Sequence, residues 1–279
     1  MFETAKPQSK PSSQPSRIHQ VLLSACGDDV RQAAPVTSLG MENIGKRYGE
    51  TAALTTVTVN FRPGIHTILG ENGSGKSTML KILSGVVAPS DGRVVLDGQT
   101  IVASSPRDMQ NRGLSTVFQE VLIAPHRSVA DNIFLGYDGF FLRSLDKSRR
   151  RAAAEGLLAV LGRFPIDLDA PAGSLALAAQ QLVVIARAFM RLPSILLLDE
   201  ATAALDYADR DLVFDAVEDY ARAGNIVIFI SHRMEEVKRL SDHVTVLRSG
   251  RIIETIERDG ITSQRLLDLM APEAHIHVE

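Results

Sequence analysis

A lysine and a serine close a glycine-rich run, Gly70-Glu71-Asn72-Gly73-Ser74-Gly75-Lys76-Ser77. The run matches G-x-x-x-x-G-K-[ST], a pattern in which backbone N–H groups surround phosphate oxygens. Glycine has no Cβ, so the backbone can approach a phosphate closely. We expect Lys76 to reach the β- and γ-phosphates of a nucleotide, the Ser77 hydroxyl to bind Mg²⁺, and Thr78 to continue the binding segment. The alternative is a glycine-rich turn with an incidental lysine.

Two adjacent carboxylates supply a second candidate for chemistry. Asp199 and Glu200 follow the apolar run ILLL, which has the composition of a buried strand. Ligands of open α/β sheets bind at the carboxyl ends of the strands, so both acids are expected to emerge there. Asp199 is the candidate Mg²⁺ partner, and Glu200 is the candidate general base for an attacking water. Two acids at a strand end are weak evidence alone, but together with the glycine-rich run they indicate hydrolysis of a nucleoside triphosphate.

Both groups require strands and helices that hold them. The apolar segment 65–69 predicts a strand before the glycine-rich run, and 77–83 has helical spacing after it. Ser249-Gly250 predicts a two-residue hairpin turn. Strands alternating with helices indicate an α/β layered core. The other predicted strands cover residues 51–61, 93–96, 114–118, 195–198, 226–230, 244–247 and 251–256.

The middle and the beginning of the chain follow different patterns. Between 129 and about 191, apolar residues recur at helical spacing and strand signals are weak, which predicts a mainly helical insertion. Residues 1–36 are rich in proline, serine and glutamine, and we expect a disordered tail there. The alternative for that tail is a short amphipathic docking segment at 18–23.

Charge and composition exclude some classes of function. The formal net charge is −3 and the basic residues are not concentrated in one patch, so we expect no nucleic-acid partner. The chain has one cysteine, Cys26, which excludes a disulfide within the chain. The longest apolar runs are far too short to cross a bilayer, and the amino terminus lacks the apolar core of a secretory signal.

The motifs resemble those of the ABC transporter ATPase family over nearly all of 39–274. The resemblance implies that Gln119, in TVFQE, senses Mg²⁺ and the attacking water, and that His232, in ISH, contacts the γ-phosphate. It also implies that Asp206, in AALD, contacts a dimer partner and that Tyr48, in KRYG, stacks on adenine. A P-loop kinase or GTPase, the other nucleotide-binding alternative, does not need this set.

The resemblance also implies a fold, cofactors and partners. The fold is a P-loop NTPase, ABC-type nucleotide-binding domain of the α/β class over 37–274, with a helical subdomain at about 120–190 and an antiparallel β subdomain. ATP and Mg²⁺ are the implied cofactors. The implied partners are membrane permease subunits, a second cassette and a periplasmic solute-binding protein, at the cytoplasmic face of the inner membrane. The alternatives are a soluble ABC ATPase without a transport role and a catalytically weak scaffolding cassette.

Longer segments resemble one subgroup of this family. The stretches STVFQE, APH and SVADNIFLG are similar to the amino-terminal cassette of bacterial ribose, galactose and xylose importers. In that group two cassettes are usually fused in one longer chain. This chain contains one cassette, so either the partner cassette is a separate polypeptide or the chain is a fragment.

One motif departs from the family. The signature segment, typically Leu-Ser-Gly-Gly-Gln, corresponds to Leu175-Ala176-Leu177-Ala178-Ala179, followed by two glutamines. Ala176 lacks the hydroxyl that binds the γ-phosphate of the partner's nucleotide, and a hydrogen bond to a charged group contributes about 1.5–3 kcal/mol. The hypothesis is an asymmetric pair, in which this chain has a complete phosphate loop but lends its partner a weak signature segment.

Overall fold

The computed structural model describes residues 14–30, 32–102, 105–137 and 145–271. Among these, no helix has the length and apolar character needed to cross a membrane. The helices are α1 Arg17–Cys26, α2 Lys76–Leu83, α3 Pro106–Asn111, α4 Val129–Ile133, α5 Lys147–Leu161, α6 Leu177–Phe189, α7 Tyr207–Arg222, α8 Met234–Leu240 and α9 Ser263–Met270. The strands are β1 Leu39–Tyr48, β2 Thr51–Phe61, β3 Gly64–Leu69, β4 Asp91–Leu96, β5 Gln99–Ile101, β6 Leu114–Val117, β7 Ile195–Asp199, β8 Ile226–Ile230, β9 His243–Arg248 and β10 Arg251–Glu257.

The strands of the described residues form two sheets. The larger has the order β10-β9-β3-β8-β7-β6, in which β10 is antiparallel to β9 and the other pairs are parallel. Every residue of β7 and β8 is buried, as expected for parallel strands covered on both faces. The smaller sheet, β2-β1-β4-β5, is antiparallel throughout.

One apolar core joins the antiparallel sheet to the parallel one. Side chains of the two sheets meet there, as Leu54 and Phe61 of β2 share a cluster with Ile68 of β3. Met79 of α2 belongs to the same cluster, so the helix that follows the glycine-rich run is fixed between the two sheets. This arrangement confirms the predicted α/β class with an antiparallel β portion.

The helical insertion lies between β6 and β7. Its helices α4, α5 and α6 share one apolar cluster, in which Leu157 and Leu161 of α5 are buried with Ile185 of α6. The described part of the segment has helical elements and one isolated bridge, between Ser128 and Pro171, in agreement with the predicted helical region. The exact boundaries, 37–274 and 120–190, stay a prediction.

The amino-terminal segment differs from the expectation. The prediction of disorder for 1–36 is wrong for α1, because Ile18, Leu22 and Cys26 recur every four residues and bury one face of a helix. Ser16 caps this helix by accepting a hydrogen bond from the backbone N–H of His19 at 3.2 Å. The amphipathic alternative at 18–23 describes the segment better. Residues 1–13 lie outside the described part.

Candidate nucleotide site

The glycine-rich run, residues 70–77, forms the loop after β3 together with the first two residues of α2, and we call it the phosphate loop. Its backbone is closely packed on other strands. A Cβ at Gly70 would lie 2.2 Å from the carbonyl oxygen of Leu247. Gly75 has φ 110°, and a Cβ there would lie 2.8 Å from the carbonyl oxygen of Ala53. Glycine is therefore required at both positions by the packing of the loop itself.

Lys76 is buried at the start of α2. Its ammonium donates hydrogen bonds to the carbonyl oxygens of Gly70, at 2.7 Å, and Glu71, at 2.9 Å. Burial lowers the pKa of Lys76, and the nearby carboxylates of Glu200 and Asp199 oppose that shift. The ammonium is therefore held over the loop, where an anion can replace the two carbonyl groups as its partner.

Other groups of the loop fit a phosphate. The Ser74 hydroxyl is buried and has no hydrogen-bond partner among the described residues. The first N–H groups of a helix lack intrahelical acceptors, so those of Lys76, Ser77 and Thr78 are available to an anion. Ser77 is exposed at this helix start. Asn72 and Gly73 complete the loop and are exposed.

Asp199 is buried at the end of β7, and α2 packs beside that strand. Burial raises the pKa of the Asp199 carboxyl, the charge of Glu200 raises it further, and Lys76 opposes the shift. Two adjacent carboxylates with one nearby ammonium favour an added cation. The donor set of Ser77, Asp199 and Gln119 consists of oxygen ligands, which is the chemistry that Mg²⁺ prefers.

Three predicted residues meet at the carboxyl edge of neighbouring parallel strands. Gln119 follows β6, Glu200 follows β7 and His232 follows β8. Nε2 of Gln119 donates to Oε2 of Glu200 at 3.3 Å, and Nδ1 of His232 lies 3.1 Å from Oε1 of the same carboxylate. We call these three side chains the hydrolytic triangle, after the role that is proposed for them. The arrangement leaves an exposed histidine and a half-buried carboxylate beside the phosphate loop.

Tyr48 lies at the tip of the β1–β2 hairpin, opposite Thr51. Its ring is exposed, and the ammonium of Lys46 is 5.2 Å from the ring centroid. The same hairpin touches the phosphate loop through Ala53. An exposed ring on an element that borders the loop is suited to stacking on a base.

Asp206 makes contacts within the chain that could not be predicted from the sequence. Its side chain caps α7 by accepting hydrogen bonds from the N–H groups of Ala208 and Asp209 at 3.0 and 2.9 Å. It also forms an ion pair with Arg163, which follows α5. Asp206 therefore connects the helical insertion to α7, and its contact with a dimer partner stays a prediction.

The signature segment lies at the start of α6. Ala176 is the N-cap residue, and its methyl side chain cannot accept a hydrogen bond from the helix. Leu177, the first helical residue, is largely exposed. The structure therefore places the altered residues at a partly exposed helix start whose first backbone N–H groups have no side-chain cap.

Two residues that sequence reasoning did not single out shape the loop after Gln119. The buried amide of Asn132 accepts from the N–H of Ala124 at 2.7 Å and donates to its carbonyl oxygen at 3.0 Å. Arg187 of α6 donates to the carbonyl oxygen of Leu122 at 2.7 Å and to that of Asn132 at 2.7 Å. A polar residue within an apolar helical stretch, as at Asn132, is the available sequence signal for such an anchor.

Proteins of known family are similar to most of this chain. Residues 54–203 match the ABC transporter family. The ribose import ATP-binding protein RbsA 1 of Rhizobium johnstonii is 42% identical over 239 residues, which are 85% of this chain and 47% of that protein. The protein of the same name from Rhizobium etli is 41% identical over 231 residues, 82% of this chain and 45% of that protein. This chain thus spans about half the length of these relatives.

Solved structures agree in fold. A dimeric bacterial ABC transporter cassette superposes with a TM-score of 0.73 at 25% identity, covering 80% of this chain and all of the cassette. A bacterial Atm1-family ABC exporter with ATP bound superposes with a TM-score of 0.70 at 26% identity, covering 87% of this chain and 42% of the exporter. With a family match over more than half of its length, a parallel core and a phosphate loop in place, this chain belongs to the ABC transporter family as an ATP-binding cassette.

Proposed function

We propose that this chain is the ATP-hydrolysing subunit of an importer for a sugar or sugar-like solute. It works at the cytoplasmic face of the inner membrane, with permease subunits, a second cassette and a periplasmic solute-binding protein. The observation that carries the hydrolytic role is the hydrolytic triangle at the edge of the phosphate loop. The solute class is supported by the two rhizobial relatives, which are named for ribose import.

ATP binding follows from the loop geometry. The ammonium of Lys76 exchanges the carbonyl oxygens of Gly70 and Glu71 for phosphate oxygens, and the amides of the loop surround the triphosphate. Tyr48 stacks on the adenine ring. Ser77, Gln119 and Asp199 would hold Mg²⁺, which supplies neutralisation of the phosphate charge that develops during transfer.

Hydrolysis depends on how Glu200 is held. Its carboxylate accepts a proton from the water that attacks the γ-phosphate. Gln119 and His232 bind the two oxygens of this carboxylate from opposite sides, so its plane and its free lone pairs have a defined direction. His232 is exposed and can turn its second ring nitrogen toward the γ-phosphate, which links the nucleotide to the end of β8.

Coupling to a permease is assigned to the loop after Gln119. Asn132 and Arg187 fix the backbone of this loop, while the Leu122 side chain remains 53% exposed. An apolar side chain on a rigid loop is suited to contact a partner. We expect the full chain, tagged and isolated from membranes of its own cells, to carry a multispanning permease with it.

Leu122→Asp should reduce that recovery at least fivefold, because an interface anchor contributes roughly 1–2 kcal/mol or more. Val102→Asp is the matched control, since Val102, directly after β5, is 85% exposed. Recovery of no permease with the unchanged chain would favour the soluble ABC ATPase. Equal loss in both variants would contradict the assignment of the loop.

The signature segment supports an asymmetric pair and also favours the second candidate, a catalytically weak scaffolding cassette. Ala176 offers the partner's γ-phosphate no hydroxyl. The purified chain alone should therefore hydrolyse ATP slowly, and Ala176→Ser should accelerate it about tenfold. Ala152→Ser, on the exposed face of α5, is the control. Brisk hydrolysis by the unchanged chain would contradict asymmetry, whereas no gain with serine would favour scaffolding.

A further inference from the structure

A buried glutamate of α8 connects the turns that carry Glu200 and His232. Glu236 is 3% exposed, so it reaches neither solvent nor a nucleotide. Its Oε2 accepts a hydrogen bond from the Ser231 hydroxyl at 2.6 Å, and its Oε1 lies 3.5 Å from the Thr202 hydroxyl. Both hydroxyls are themselves buried. A buried carboxylate with paired partners on two different loops holds those loops together.

The two hydroxyls belong to residues close to His232 and Glu200 in the sequence. Ser231 directly precedes His232 after β8, and its oxygen also accepts from the N–H of Arg233 at 3.0 Å. Thr202 lies in the turn that Glu200 begins, where the Thr202 carbonyl accepts from the N–H of Leu205 at 3.1 Å. Glu236 therefore binds to the residue before the histidine and to the turn after the general base.

The backbone of Glu200 needs such support. Its φ is 47°, in the left-handed region that residues with a Cβ adopt rarely. A residue stays in this conformation only where the surrounding structure holds it. One hold is the hydrogen bond from the N–H of Glu200 to the carbonyl oxygen of Ile230, at 3.0 Å. The contact of Thr202 with Glu236 is a second.

Two arginines balance the buried charge. Arg233 lies 3.4 Å and Arg210 3.6 Å from Oε1 of Glu236. Arg210 belongs to the first turn of α7, the helix that Asp206 caps. The glutamate is therefore the point at which α7, α8 and the two catalytic turns meet.

We infer that Glu236 is a positioning residue that sets the separation of His232 and Glu200 by tying their turns together. This inference rests on the proposed hydrolytic roles of those two residues. The partners of Glu236 described above, Ser231, Thr202, Arg210 and Arg233, all lie outside the phosphate loop. Loss of Glu236 should therefore lower the rate of hydrolysis and leave nucleotide affinity nearly unchanged.

The test uses the full chain and two neighbouring glutamates of α8. Glu236→Ala should lower kcat for ATP at least tenfold with KM changed less than about threefold, because the lost interaction is a buried charged hydrogen bond. Glu236→Gln, which keeps the size and one acceptor, should restore part of kcat. Glu235→Gln is the matched control, since Glu235 is exposed in the same helical turn.

A spectroscopic readout follows the histidine itself. In protein labelled with ¹³C-histidine, the His232 resonance, assigned with His232→Gln, should move in Glu236→Ala and stay in Glu235→Gln. A general loss of stability changes the melting temperature but leaves the native-state resonance in place. An unmoved His232 resonance together with an unchanged kcat would overturn the inference.

The same series separates this inference from the proposed function. If Glu200→Gln hydrolyses ATP at the rate of the unchanged chain, the proposed role of the triangle fails. If Glu200→Gln is slow while Glu236→Ala retains full kcat, the positioning role alone is wrong. A rise of KM in Glu236→Ala as large as the fall in kcat would also contradict the positioning role, because it would show that the substitution weakens nucleotide binding at the phosphate loop.

Discussion

Nδ1 of His232 lies 3.1 Å from Oε1 of Glu200, although the two residues follow different strands and are 32 positions apart in the chain. The parallel pairing of β7 with β8, in which Asp199 lies opposite Ile230, brings the two strand ends to the same level. The relationship is therefore a consequence of strand register. A one-residue slip of either strand would shift its end by about 3.3 Å and turn its side chains to the opposite face of the sheet, which would separate the pair.

Replacement of Glu200 by glutamine tests the base. The amide of the Glu200→Gln variant keeps the size of the side chain but cannot take a proton from water, so turnover should fall about 10²–10⁴-fold. Binding of a fluorescent ATP analogue should change little, since Lys76 and its loop are untouched. Steady-state ATPase assays and equilibrium titrations measure the two quantities. Normal turnover in this variant would show that another group activates the water.

The packing of the phosphate loop gives a second prediction. An alanine Cβ at Gly70 would stand 2.2 Å from a backbone oxygen, so the loop must move, and nucleotide affinity should fall at least tenfold. Gly40→Ala is the control, because its new Cβ meets neighbours at 3.7 Å, an ordinary contact distance. Nucleotide titration and thermal melting of both variants provide the measurement. Equal affinity in the two variants would mean that the loop tolerates displacement.

Much of the parallel core could be predicted because each of its elements has a pattern within a short stretch of the sequence. The runs of β7 and β8 are apolar throughout, as strands buried on both faces must be. The turn at Ser249-Gly250 was predicted from residue type, and both residues have positive φ, 47° and 74°. The phosphate loop was predicted because its glycines and lysine are adjacent in the chain.

The contacts made over long sequence distances could not be predicted in the same way. Glu236 is close to Ser231 in the sequence, but Thr202, its other partner, is 34 positions away. From the sequence alone, Glu236 cannot be distinguished from an exposed glutamate on a short helix. The sequence does not favour α1 because the prolines around it are typical of a disordered tail. The surface on which α1 packs belongs to α5 and α7, which are distant in the sequence. Tertiary packing decides both cases.

The buried charge of Asp199 leads to a stability prediction. Burial raises the pKa of this carboxyl in the folded chain, so folding is favoured when the group is protonated, and that stability is lost as pH rises through the raised value. Asp199→Asn should therefore raise the melting temperature of the nucleotide-free protein at neutral pH by about 2 °C or more. Added Mg²⁺ and ATP should stabilise the variant less than the unchanged chain.

Asp259→Asn, at an exposed carboxylate, is the control for that comparison and should melt as the unchanged chain does. Differential scanning calorimetry with and without Mg²⁺ and ATP gives all the values. A lower melting temperature for Asp199→Asn without nucleotide would contradict the argument, because it would show that the charged form stabilises the fold.

The contact of α1 with the rest of the chain can be tested at two adjacent leucines. Leu22 is fully buried against the core, whereas Leu23 is 43% exposed. Leu22→Ala should lower the free energy of unfolding by about 2–5 kcal/mol, and Leu23→Ala by about 0.5 kcal/mol. Urea unfolding measures both. Equal small effects would indicate that α1 is not docked in solution.

His66 should make stability depend on pH. Its ring stacks on His243 with centroids 4.6 Å apart. Burial, and then the charge of His243, lower the pKa of His66 from 6.5 to about 4, although Asp242 opposes the shift. Between these values the unfolded chain binds a proton that the folded chain does not, so stability falls as pH falls.

From pH 7.5 to pH 5 this difference amounts to about 2 kcal/mol for a shift of that size. His66→Gln should remove this part of the loss, whereas His126→Gln, at an exposed histidine, should keep it. Urea unfolding of the three proteins at both pH values compares the slopes directly. A buried neutral imidazole must contribute to the loss of stability in this pH interval. If His66→Gln loses as much stability on acidification as the unchanged chain, the prediction is wrong and another group governs the acid response.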